Sequence, residues 1–221
     1  MASENDFRSP FRRNPVGCVF NYHPPVGPKE TAFSTSPTSD SATYSAGGAV
    51  FSGGQKTVYA DADRFSFNPN GPCSFSAWFK SSNTNDSTIL CKVGEWAFYY
   101  KRVVTVAGPS LCRYNSAGGG YIVGMASNPF SNNVIYHLVF TVTSGALTTA
   151  NCKLYINGVS QTITDRFFGP TYTQMDNTTG VVNIGAEDTT RYFTGTIYNA
   201  KMFNKLLTQA EVTDMYSQGI Q

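Results

Sequence analysis

The sequence predicts an all-β fold: a two-sheet antiparallel β-sandwich with a short C-terminal helix and an extended N-terminal arm. Three observations carry that prediction. Short period-two runs recur along the chain, and such alternation marks strands with one face buried. Turn signals separate the runs at short intervals; the strongest is Asn157-Gly158, since a type I′ turn needs positive φ at both central residues. No helical pattern alternates with the strands, which argues against a parallel βαβ sheet. A chain of 221 residues is long enough for one large all-β domain.

Residues 1–45 read as one unit, an extended arm and linker. Six of the eleven prolines fall there: Pro10, Pro15, Pro24, Pro25, Pro28 and Pro37. Proline lacks a backbone donor and biases its predecessor to extended backbone, so neither a helix nor a central strand is expected. The arm interleaves Phe7, Phe11, Phe20 and Tyr22 with Arg8, Arg12 and Arg13. Aromatics and arginine anchor interfaces, so these residues are candidates for docking onto a neighbouring subunit. The domain then spans residues 46–221, and removing residues 1–45 is expected to leave it folded.

Within the domain, Ala49 to Phe51 and Lys56 to Ala60 are the first expected strands. In Cys73 to Lys80, Phe75, Ala77 and Phe79 share a face. Thr88 to Val93 follows a polar loop. Trp96, Phe98 and Tyr100 alternate with Ala97, Tyr99 and Lys101. Leu111 to Tyr114 and Gly120 to Met125 are shorter strands. Leu138, Phe140 and Val142 share one face, as do Leu154 and Ile156, and these should line the core. Arg166 to Thr179 reads as a long loop; Val181 to Gly185 and Tyr192 to Phe203 end the strand series. Thr208-x-x-Glu211 is a capping box that opens a helix, with Gly219 as its left-handed stop.

Composition narrows the function classes. Charged residues make up 14% and the net charge is +2, so no basic stripe for nucleic acid is indicated. The apolar runs fall short of the ~20 residues a membrane helix needs. Met1 to Pro10 is not followed by an apolar signal region, which sets the expectation of synthesis in a cytoplasm without export. The five cysteines (Cys18, Cys73, Cys91, Cys112 and Cys152) are widely spaced and odd in number. They read as small buried hydrophobes, not as a zinc site or disulfide framework.

Several segments, in order, resemble the laminin-G-like domains of the concanavalin A-like lectin/glucanase superfamily. They are Ala49-Val50-Phe51-Ser52-Gly53, Ser74-Phe75-Ser76-Ala77-Trp78-Phe79-Lys80, Ile89-Leu90-Cys91-Lys92-Val93-Gly94 and Tyr136-His137-Leu138-Val139-Phe140-Thr141. Lys153-Leu154-Tyr155-Ile156-Asn157-Gly158, Asn183-Ile184-Gly185-Ala186, Phe193-Thr194-Gly195-Thr196-Ile197-Tyr198 and Leu206-Leu207-Thr208-x-x-Glu211-Val212 complete the set. The resemblance covers about residues 46–218 and implies a jelly roll of two curved antiparallel sheets. It implies no single function, since the fold hosts glycan binders, adhesion modules and glucanases.

The glucanases of the superfamily carry E-x-D-x-x-E on one strand, and no such triplet occurs here. Glycoside hydrolysis needs two suitably spaced carboxylates; the nearest acidic neighbours are Asp61/Asp63, Glu187/Asp188 and Glu211/Asp214. No catalytic residue is therefore expected, and the chain reads as non-enzymatic. Some relatives bind calcium through rim carboxylates, but the opening strand reads Phe51-Ser52-Gly53-Gly54-Gln55-Lys56. No cofactor is expected; Glu187 and Asp188 are the weak calcium candidates. Stacking aromatics and polar neighbours make Trp96, Tyr99, Tyr121, Tyr172, Arg191 and Tyr192 candidates for glycan contact. The expected function is a structural, adhesive subunit of a large assembly such as a virion, for example a minor capsid, decoration or fibre protein. Its arm would dock on capsid or tail proteins and its lectin-like domain could meet a cell-surface glycan. The alternative is a carbohydrate-binding module of an extracellular protein.

Overall fold

The computed structural model describes residues 16–23, 35–45, 47–69, 71–82, 85–102, 107–115, 119–168 and 174–220, with backbone alone for residues 165–168. Two sheets face each other, every ladder antiparallel. Reading across the first, the strands are β13 (Val159–Gln161), β12 (Cys152–Ile156), β11 (Ile135–Val142), β6 (Cys73–Ser81), β16 (Thr194–Phe203), β4 (Gly48–Ser52) and β3 (Thr43–Ser45). β1 (Cys18–Tyr22) pairs with the second half of β16, beyond the stretch that pairs with β4. The second sheet runs β14 (Thr164–Phe168), β10 (Gly120–Gly124), β9 (Ser110–Tyr114), β8 (Trp96–Lys101), β7 (Ser87–Lys92), β15 (Val182–Ile184), β5 (Thr57–Tyr59) and β2 (Ser39–Asp40).

The inward phase of each strand fills the space between the sheets. Leu138, Phe140 and Leu154 are fully buried there, with Ile156 packed against them. Opposing strands contribute Phe75 and Trp96, whose ring centroids lie 4.9 Å apart, and Phe79 and Tyr100 at 5.3 Å. Asn157 has φ 51° and Gly158 has φ 79°, the left-handed pair a type I′ turn requires. α1 (Gln209–Ser217) is capped by Thr208, with both halves of the capping box made. It lies on the outer face of the first sheet, where Val212 and Met215 cover Val139, Tyr155, Phe203 and Leu207. Beside it Tyr216 stacks over Trp78 and His137, a directly opposed pair on β6 and β11.

Two expectations need correcting. The arm contributes strands: Phe20 and Tyr22 are fully buried in this chain's own core, so they are not free to anchor a neighbour. Phe20 packs edge-on against Tyr59 and Phe65 at 5.2 and 5.6 Å. No proline falls within Cys18–Tyr22, and an edge position needs only one row of donors. Phe7, Arg8, Phe11, Arg12 and Arg13 lie outside the described residues. Secondly, the start of the expected loop from Arg166 is strand β14, paired with β10 in register from Gly120↔Phe168 to Gly124↔Thr164.

Candidate functional site

The outward phase of the second sheet is unusual in composition. One cross-strand row reads Asn183, Cys91, Ala97, Cys112, Ile122. Its middle members are small, so larger side chains from neighbouring rows can lie down across the sheet. Tyr99 and Tyr114 do so from opposite sides, and their hydroxyls meet each other and one carboxylate. Tyr99 donates to Glu187 Oε2 at 2.5 Å and Tyr114 to Glu187 Oε1 at 3.0 Å. Burial pushes both phenols well up, with the Glu187 charge adding to it, so both remain neutral donors.

Glu187 reaches this position on a tight turn. Its backbone exchanges two hydrogen bonds with Thr190, while Asp188 and Arg191 hold positive φ of 51° and 50°. Strained loop backbone of this kind persists where surrounding contacts over-determine it. Arg191 donates to Glu187 Oε2 at 2.7 Å and lies 3.5 Å from Asp86 Oδ2, which also pairs with Arg102. Burial, the largest single influence, works to lower the Arg191 pKa, but the Glu187 carboxylate with Tyr99 and Tyr114 together outweigh it and the net direction is up. The Arg102 guanidinium lies 5.6 Å from the Tyr99 ring centre. The charges thus form two matched pairs of opposite sign, partly exposed at the sheet surface.

The neighbouring cross-strand row, to which Tyr99 belongs, reads Thr88, Tyr99, Ser110. The buried hydroxyls of Thr88 and Ser110 have no hydrogen-bond partner, and neither does either amide atom of buried Asn183. Unpaired buried polar atoms are rare and expensive, ~1–3 kcal/mol each. Four on one face of one sheet is a concentration that packing does not require.

The predicted site residues separate cleanly. Tyr99, Arg191 and the weak calcium candidate Glu187 meet in this cluster. Trp96 does not: it is 1% exposed in the inter-sheet core, and its indole donates to the Phe65 carbonyl at 3.0 Å. Tyr121 faces inward and packs against the same core. Tyr192 is half-buried next to core residue Phe193. Tyr172 lies outside the described residues. Asp188 accepts from Lys56 through its carbonyl at 2.8 Å, with its carboxylate 3.7 Å from the same ammonium. The rim carboxylates are therefore matched to donors of the chain itself, and among the described residues no group of three or more His, Cys, Asp or Glu could hold a metal. Tyr114, Asp86, Arg102, Thr88, Ser110 and Asn183 were missed. For Tyr114, Thr88, Ser110 and Asn183 the signal is the outward phase of their strands, while Asp86 and Arg102 flank strand ends; only the register brings them together.

A different acidic pair is structural. Buried Lys92 meets Glu95, Asp61 at 2.9 Å, the Ser66 hydroxyl at 2.6 Å and the Thr178 carbonyl at 2.8 Å. This knot ties the loops at residues 61–66 and 177–178 to the sheet.

The family model for laminin-G-type domains of the concanavalin A-like lectin/glucanases superfamily matches residues 51–213. The chain belongs to that superfamily. Among solved structures, domain 4 of AbnA, a GH43 extracellular arabinanase from Geobacillus stearothermophilus in complex with arabinotriose, is similar at TM-score 0.66 and 19% identity, covering 90% of this chain and 98% of that one. The binding domain of Paraclostridial Mosquitocidal Protein 1 follows at TM-score 0.62 and 15% identity, over 91% of this chain and 52% of that. Trypanosoma rangeli sialidase gives 0.59 and 14%, over 94% and 34%. At these identities the likeness is one of fold. The chain spans about half and a third of the last two. No curated protein sequence matches the chain.

Proposed function

We propose that this laminin-G-type domain is a non-catalytic carbohydrate-binding module that takes neutral oligosaccharides on the outer face of the second sheet. The observation that carries the reading is the set of unpaired Thr88, Ser110 and Asn183 polar atoms, in two rows of the same sheet whose surface carries the part-exposed Tyr114, Glu187 and Arg191. Sugars present alternating hydroxyl donors and acceptors, which suit an amide, hydroxyls and a carboxylate already held in place. The arabinotriose complex of the arabinanase domain supports the same ligand class. Neutrality follows from charge matching: Arg102 and Arg191 are both committed to Asp86 and Glu187, so an acidic sugar would have to break an ion pair. Each acidic pair weighed for hydrolysis has a member in structural use: Asp61 with Lys92, Glu187 with Arg191, and Glu211 in the helix cap.

A glycan array tests this. Neutral oligosaccharides should bind, and Tyr114→Ala or Arg191→Ala should weaken them at least ~tenfold, about 1.4 kcal/mol. Absence of any neutral glycan sensitive to both substitutions would overturn the reading.

A second reading, attachment to a larger assembly such as a virion, is favoured by the aromatics and arginines that precede β1 in sequence. Phe7, Arg8, Phe11, Arg12 and Arg13 combine the residue types that anchor interfaces, and the first described residue after them, Val16, is exposed. Removing residues 1–15 should then abolish co-purification with such particles and leave glycan binding intact.

A further inference from the structure

The outer face of the first sheet carries a separate constellation. Thr141 on β11 lies in the cross-strand row Ser74, Thr141, Lys153. The Ser74 hydroxyl is committed: it donates to the Lys205 carbonyl at 2.8 Å and accepts from the Leu207 amide at 3.0 Å. These bonds lash the segment before α1 to the sheet. Thr141 is fully buried, yet its hydroxyl has no partner. It forms part of the wall of a cleft of about 140 Å³ between β11, β12 and the start of the helix, along with Thr143, Lys153, Tyr155, Thr208 and Gln209. A single water, with a liquid share of ~30 Å³, would pair with Thr141 without filling that space.

The groups around the cleft are rich in hydrogens to donate. Burial pushes the Tyr155 phenol up, which keeps its proton on. Lys153 brings an exposed ammonium. Gln209 and Ala210 begin the helix, and first-turn amides have no intrahelical acceptor; the Thr208 hydroxyl oxygen accepts from the amide of Glu211, at 3.2 Å, and not from those of Gln209 or Ala210. The nearest helix carboxylate, Glu211, is turned back onto the Thr208 amide at 2.8 Å and paired with Lys205. A concave set of hydroxyl, ammonium and helix N-terminal donors matches an oxyanion.

We propose that this cleft binds a small oxyanion group, a carboxylate or a sulfate or phosphate ester, independently of the neutral-sugar face on the other sheet. The source is either a free anion or an acidic group on a longer saccharide.

Backbone NMR titration of the full chain tests this, with sodium sulfate, inorganic phosphate and acetate in parallel with a sulfated oligosaccharide, and with a neutral methyl glycoside as control. Saturable shifts should appear at residues 141, 153, 155, 208 and 209 with the anions and not with the neutral control. Thr141→Val and Lys153→Gln should each weaken binding at least ~fivefold, and Thr141→Ser should restore it. Tighter binding of the sulfated oligosaccharide than of sulfate would assign the anion to a saccharide, and equal affinity to a free ion. No saturable shift, or shifts indifferent to Thr141→Val in a variant with unchanged melting temperature, would overturn the proposal. Tyr114→Ala should leave these shifts in place, which separates this site from the proposed sugar face.

Discussion

At the scale of single residues, two buried titratable side chains are informative. His137 is fully buried, donating or accepting through Nε2 with the Ser76 hydroxyl at 2.9 Å, while Nδ1 has no partner. Burial, reinforced by nearby Lys201, pushes its pKa from 6.5 down to about 3. The folded value lies below the unfolded one, so between them the unfolded chain binds the extra proton. The stability this preserves is complete above the unfolded pKa of 6.5 and is lost as pH falls toward about 3, at roughly 1.4 kcal/mol per pH unit. Melting temperatures across that window should drop with acid, and His137→Asn should flatten the drop; an unchanged slope would exclude His137 as its cause. Lys92 is the other case. Its ammonium neutralises Glu95, which is itself fully buried. Lys92→Met strands that carboxylate and should cost ~3–5 kcal/mol in urea unfolding, with part of the loss recovered by adding Glu95→Gln. The Thr88 to Val93 strand and the family lysine were visible in the sequence, with Glu95 three residues on; the Asp61, Ser66 and Thr178 oxygens that also converge on Lys92 come from separated segments and were not.

The informative element is the hairpin from β12 to β13. Its register, Ile156↔Val159 to Leu154↔Gln161, follows from the Asn157-Gly158 turn, and that much is readable from two adjacent residues. The tertiary structure adds a second constraint. A Cβ on Gly158 would lie 3.3 Å from Tyr216 Cδ1 on the helix, and the Asn157 side chain accepts from the His137 amide at 2.9 Å. Gly158→Val therefore faces both positive-φ strain and contact with Tyr216. It should cost more than ~1 kcal/mol and loosen the Tyr216 stack, seen as reduced protection of α1 amides in hydrogen exchange. A purely local turn defect would leave α1 protection at its global value. The contrasting element is β1. Its alternation (Val19, Asn21 against Phe20, Tyr22) was present in the sequence, but proline density outweighed it. In the sequence no proline falls between Cys18 and Tyr22, the bounds of β1.

For the whole molecule, the division between arm and domain moves. Truncation after residue 45 would remove β1 and with it Phe20 and Tyr22, both at 0% exposure. Losing large buried aromatics costs ~3–5 kcal/mol each, a large part of the ~5–15 kcal/mol that stabilises a domain. Deleting residues 1–15 should leave the thermal midpoint close to that of the full chain, whereas deleting 1–45 should lower it sharply or prevent folding. Equal midpoints would show that β1 adds nothing to the sandwich. The two sheets also divide the proposed chemistry: charges matched in pairs on the second, unopposed donors beside α1 on the first.

The sequence by itself determined the layer architecture, the strand phases, the hairpin turn and the helix cap. Each is set by neighbours within a few residues, through alternation, positive φ or a capping side chain, and so is written locally. Only the tertiary structure decided which polar residues meet. Tyr99, Tyr114, Glu187 and Arg191 come from β8, β9 and the loop after β15, and Thr141 lines one cleft with Thr208 and Gln209 at the start of α1, brought there by packing and not by sequence spacing. The same alternation that marks Trp96 as a strand aromatic is silent on which face is the core. Packing settles that, because only one face of each sheet can be buried against the other.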